Sequence, residues 1–156
     1  MPGIDVCLCE VMALPGARGA ALVDWTCGLA LGAAGEPPRG QPESAAVEAA
    51  ELARLSVEYG TFRPPDDEEP WDRDGGGTGR SGGTRSAGIA GGTGSTGSTG
   101  VEDLIVTTRT AYHVLRFVDT GHDSSVFLHL WLDRDAANLA VARLCLKDAA
   151  RKLVLE

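Results

Sequence analysis

Two runs, Gly77-Thr78-Gly79-Arg80-Ser81-Gly82 and Gly92-Thr93-Gly94-Ser95-Thr96-Gly97, carry the spacing G-x-G-x-x-G. That spacing serves phosphate binding when a strand feeds the turn and a helix leaves it, so that the helix N-terminus meets the phosphate. Here the preceding PPDDEEPWDRD is acidic and proline-interrupted, unfit for a central strand, and the following VEDLIVTT reads as a strand. No glycine is followed by Lys and then Ser or Thr, so the phosphate loop of NTPases is missing too. Twelve glycines between Gly75 and Gly100 generate the spacing by composition. No phosphate site and no cofactor are expected.

The other reactive side chains form no machinery either. His113 and His129 fall within strand-like runs, where single histidines are ordinary core or surface residues. His122, Asp123, Ser124 and Ser125 supply the letters of a Ser/His/Asp set, but neighbours in one turn do not aim a base at a nucleophile. No strand-to-helix G-x-S-x-G occurs. Asp66, Asp67, Glu68 and Glu69 could hold a cation weakly, without a fixed cage. Cys7, Cys9, Cys27 and Cys145 lack zinc spacing and read as reduced thiols, and Cys7 and Cys9 point apart on a helix. Catalytic residues, metal and cofactor are all read as none, so the expected protein is not an enzyme.

The balance of 14 basic against 22 acidic residues gives a net charge of −8, which argues against nucleic acid and anionic membranes as partners. No apolar run reaches the roughly 20 residues of a membrane span. The first residues, MPGIDVCLCEV, lack the basic region of a secretory signal, and a cytoplasmic location is expected.

The elements that would position any site come next. Residues 4–14 show helical spacing at Ile4, Cys7 or Leu8, Val11 and Leu14, stopped by Pro15-Gly16. ARGAALVD and LALGAAG form a hairpin through Trp25-Thr26-Cys27-Gly28. Residues 44–59 form a second helix with Ser44 as N-cap and Gly60 as stop. It bears two stripes. Ala45, Ala49, Leu52, Leu55 and Tyr59 suit packing on a sheet, whereas Ala46, Ala50, Ala53 and Val57 make a smooth face that another helix could approach. The alanines also simply reflect helix propensity.

Residues 63–100, acidic and then Gly/Ser/Thr-rich, cannot bury enough apolar surface to order themselves and read as one disordered insert. Lengthening a five-residue link to 38 costs roughly 2 kcal/mol of closure entropy, which a domain tolerates. After it, DLIVTT, AYHVLRFV and SVFLHLWLD read as strands. In the last, Val126, Leu128, Leu130 and Leu132 face one way and Phe127, His129 and Trp131 the other, the mark of a central strand covered on both sides. A closing helix after Asp133 or Asp135 has Leu139, Ala142, Leu146, Ala149 and Leu153 inside, and Arg143, Lys147, Arg151 and Lys152 outside. The expected fold is α+β: one domain over 1–156, a three-layer α/β/α sandwich with a five-stranded antiparallel sheet and element order α-β-β-α-β-β-β-α.

Pro15-Gly16, the run Gly19-Ala20-Ala21-Leu22-Val23-Asp24, Gly28 and Leu29-Ala30-Leu31, taken with that order, resemble the Roadblock/dynein-light-chain domain, a profilin-like sandwich. The likeness spans the chain except the insert, and two departures stand out: the long link before the third strand, and Trp25-Thr26-Cys27 in place of a polar turn. The resemblance implies a non-enzymatic regulatory or scaffold module of bacterial type. It would form a homodimer and bind a small Ras-like GTPase, modulating its nucleotide cycle or localisation. Second helices and third strands meet across such dimers, which places Ala46, Ala50, Ala53, Val57, Leu104 and Val106 at the expected interface. Two alternatives are a small-ligand sensor on the same sandwich and a diverged dimer without GTPase contact.

Overall fold

The computed structural model describes residues 2–62, 100–119 and 125–155. Helix α1 (Pro2–Met12) leads into strands β1 (Ala17–Asp24) and β2 (Leu29–Gly35), then helix α2 (Pro42–Glu58) and a short 3-10 turn (Gly60–Phe62). Strands β3 (Asp103–Thr107), β4 (Ala111–Phe117) and β5 (Val126–Asp133) precede helix α3 (Leu139–Leu155). The five strands form one antiparallel sheet in the order β2-β1-β5-β4-β3.

The centre of the sheet is β5, as its two apolar faces require. Phe127, Leu128, Leu130 and Leu132 have essentially no exposure. On one face α1 and α3 bury Cys7, Leu8, Val11, Ala142, Leu146 and Ala149 against Leu22, Val114, Leu128 and Leu130. On the other, α2 packs on Val23, Leu115, Phe117 and Phe127. The architecture is the α/β/α sandwich, α+β in class. Cys7 is buried and Cys9 exposed, so the two thiols do point apart.

The hairpin turns as its residues dictate. The Asp24 carboxylate accepts hydrogen bonds from the Thr26 backbone N–H (2.9 Å) and hydroxyl (2.6 Å), and Gly28 takes φ +71°. Pairing shifts between Leu22 and Val23, where Leu31 is the extra residue of β2, a bulge that bends β2 near this turn.

Helix α2 corrects two expectations. It begins two residues before Ser44, with Gln41 as N-cap and Pro42 in the first turn, because proline's fixed φ suits that place and its missing N–H costs nothing there. Its stripes are also exchanged, except that Ala49 is buried as expected. Ala46, Ala49, Ala50 and Ala53 are the buried ones, while Leu52, Leu55 and Tyr59 face outward. The sheet beneath supplies the bulk through Phe117, Phe127 and Leu115, so the helix that lies on it must be thin. The glycine-rich runs, the acids at 66–69, and His122-Asp123-Ser124 lie outside the described residues.

Candidate partner-binding surface

Ala46, Ala50 and Ala53 are no more than 4 % exposed, held under their own helix. This corrects their assignment to a seam between copies: a second helix cannot touch these methyl groups without displacing the sheet. Val57 and Leu104 are half-buried beside Phe117 and Phe127. Among the expected interface residues, Val106 alone is exposed.

What α2 does offer is the opposite stripe. Leu52 (39 % exposed), Leu55 (45 %), Tyr59 (60 %) and Phe62 (60 %) follow one another at intervals of three, four and three residues along the helix and its 3-10 extension. Such spacing sets side chains on one line. Charged residues rim it: Arg54 pairs with Glu51 and lies 4.0 Å from Glu58. A line of apolar groups framed by charges has the make-up of an interface. The helix lies chiefly over β1 and β2, toward one side of the sheet.

The far side ends in β3, which pairs with β4 alone among the described strands. Its outer edge leaves backbone N–H and C=O groups without ladder partners, and Leu104 and Val106 stand on the face that α2 only partly covers. On α2 the sequence reading turned the wrong stripe outward. Unbroken polarity at Glu48, Glu51, Arg54 and Glu58 beside Leu52 and Leu55 was the signal available for an outward face.

A second feature lies beneath the first turn of α2. Gly19, Ala21, Ala30, Ala33, Pro37, Pro42, Ala45, Ala46, His129 and Trp131 enclose a cavity of about 50 Å³. His129 is 8 % exposed and sits 3.1 Å, Nε2 to Nδ1, from His113, which stacks on Trp131 with ring centroids 6.0 Å apart. Burial, with a smaller contribution from His113, lowers His129 to about 4, and burial also lowers His113. Both are neutral rings near pH 7, and no carboxylate is hydrogen-bonded to either among the described residues. Trp131 donates its Nε1–H to the Glu36 carbonyl at 2.8 Å, and Arg18 closes the rim by pairing with Glu36 (3.0 Å) and Asp133 (3.1 Å). This is a structural cluster rather than an acid–base pair. Among the described residues no group of three or more His, Cys, Asp or Glu could hold a metal, and no helix is long and apolar enough to cross a membrane.

The sandwich, with one helix on one face and two on the other, has the Roadblock/LC7 fold. Solved structures carry this conclusion. A Roadblock/LC7 domain from Streptomyces avermitilis aligns with a TM-score of 0.59 at 18 % identity, covering 96 % of this chain and 92 % of the other. Myxococcus xanthus MglB aligns with a TM-score of 0.59 at 16 % identity, covering 99 % and 86 %. An MglB with a tetrameric arrangement gives a TM-score of 0.63 at 16 % identity, covering 99 % and 90 %. No protein-family model and no curated protein matches the sequence. The likeness is one of three-dimensional structure.

Proposed function

We propose that this chain is one domain carrying an insert at 63–100, and that it acts as a dimeric, non-enzymatic regulator that binds a small Ras-like GTPase in the cytoplasm. Two observations together carry this reading, the exposed line Leu52-Leu55-Tyr59-Phe62 and the open β3 edge, on the fold of MglB. Two copies related by a two-fold axis through β3 would join their sheets edge to edge and bring their α2 lines together. That would cover both the apolar groups and the unpaired backbone. In this placement Leu104 and Val106 stay in the interface, and the α2 contribution passes from the alanines to Leu52, Leu55 and Tyr59.

GTPase regulation follows from the resemblance to MglB-type proteins. Any acceleration of hydrolysis would come from ordering the GTPase's own residues. Light scattering tests the dimer, and GTP turnover by a small Ras-like GTPase of the same organism, measured with and without the protein, tests the regulation. An unchanged rate and unchanged nucleotide affinity would leave a dimeric scaffold only. The cavity beside His129, at about 50 Å³, falls well short of the roughly 300–1,000 Å³ of a small-molecule site and so weighs against the small-ligand sensor, which a stabilisation of the melt by one member of a metabolite panel would restore.

A further inference from the structure

Helix α3 lies across the sheet from α2, and its inner face, Ala142, Leu146, Ala149 and Ala150, is buried. Its outer face is left over. Leu144 (65 % exposed), Lys147, Arg151 and Leu155 (85 % exposed) succeed one another at intervals of three, four and four, which puts them in one row. Beside that row the helix and the end of β4 border a groove of about 360 Å³, with Ala150 and Val154 on its helical wall. Two leucines this open, on a helix already packed through its opposite face, take no part in the core.

The two charges in the row are uncommitted. Around them the other cations are spoken for: Arg143 is held by Asp103 at 2.9 Å, and Lys152 by Glu10 at 2.6 Å. Arg116, on the β4 wall of the groove, pairs with Asp103 and Glu102 and adds no free charge. Lys147 and Arg151 are exposed and pair with no carboxylate among the described residues. In a chain of net charge −8, two neighbouring unpaired cations framed by two bare leucines are a local exception.

We propose that this face docks an acidic amphipathic helix of a partner protein. From Leu144 to Leu155 the row runs straight for three turns, about 16 Å at roughly 1.5 Å per residue. Its complement is a facing helix with two carboxylates one turn apart for Lys147 and Arg151, and an apolar side chain beyond each for the leucines. A further side chain of that helix enters the groove at Ala150 and Val154. Two other occupants fit less well. A membrane takes up a continuous apolar helix face, and that face of α3 is the one buried against the sheet. A second copy of α3 would set Lys147 and Arg151 against their own kind, with Asp148 the sole acid of the helix to offset them. This inference does not depend on the dimer or on the GTPase.

The probe is a fluorescein-labelled synthetic helix, rich in alanine and glutamine, with leucine, two glutamates and leucine at intervals of four, four and three. Anisotropy at low salt reads its binding to the whole protein. Lys147→Glu with Arg151→Glu should weaken it at least about tenfold, and a probe with lysines for the glutamates should bind that variant instead. Leu144→Ala with Leu155→Ala should weaken the original probe as well. All four residues are exposed, and an unchanged melting curve checks that the fold is kept. No binding by the intact protein overturns the proposal, as does binding that survives the charge reversal or the loss of both leucines. Sedimentation with phosphatidylserine–phosphatidylcholine vesicles that the charge reversal abolishes would give the face to a membrane. A fall in mass by light scattering in the same variant would give it to a second copy. Either result overturns the partner helix.

Discussion

His113 Nδ1 and His129 Nε2 lie 3.1 Å apart across neighbouring strands, one ring donating to the other, and His129 is buried with no charged partner to hold a proton. Burial lowers its pKa to about 4. The unfolded chain, with His near 6.5, therefore binds the extra proton first as pH falls. Stability that His129 leaves intact above pH 6.5 should drain away between about pH 6.5 and 4, by about 3 kcal/mol at the lower end. Urea denaturation across that range checks the slope. His129→Leu should flatten it, since the neutral replacement takes up no proton in either state.

Ala53 has no exposed surface, and Leu55, two residues on, is 45 % exposed. Ala53→Leu should destabilise the fold by about 1–3 kcal/mol through overpacking against the sheet. Leu55→Ser should change protomer stability by no more than about 0.5 kcal/mol. Chemical denaturation at protein concentrations low enough to keep the chain monomeric separates the two. Equal costs would contradict the exchange of stripes.

Association should show the reverse ranking. Leu55→Glu brings like charges together about the two-fold axis, and Val106→Lys blunts the β3 edge. Each should halve the mass seen by light scattering while leaving circular dichroism unchanged. A full-size species in both variants would move the interface away from α2 and β3.

Gly19 faces a crowded neighbour. A Cβ at this position would lie 2.0 Å from the Glu36 carbonyl oxygen and 2.6 Å from Trp131 Nε1. Gly19→Ala must therefore separate β1 from the segment after β2 and break the Trp131–Glu36 hydrogen bond. A loss of about 1–3 kcal/mol and a shift in Trp131 emission are the expected outcomes.

Strand periodicity carried most of the fold. SVFLHLWLD announces a strand buried on both faces, and β5 is that strand, with β1 and β4 beside it. The ends of β1 and β2 were legible because Gly16, Asp24, Gly28 and Gly35 have single local meanings. The facing of α2 was not. A helix rich in alanine has no strong amphipathic contrast, and which stripe turns inward depends on the size of residues 60 to 80 positions away, such as Leu115, Phe117 and Phe127. The cavity was equally hidden, since it joins residues from distant elements: His129 meets Gly19 and Pro42 there.

The strand order sets a timetable for synthesis. The middle of the sheet, β5, is translated after the four strands that flank it, and β1 waits 102 residues, from Asp24 to Val126, for the neighbour that completes it. At about 5–20 residues per second that is roughly 5–20 s in which the Ala20, Leu22 and Val23 side chains on a nascent hairpin have no final cover. The small, weakly greasy residues of β1 and β2 suit a hairpin that must stay unattached on the ribosome until its keystone arrives.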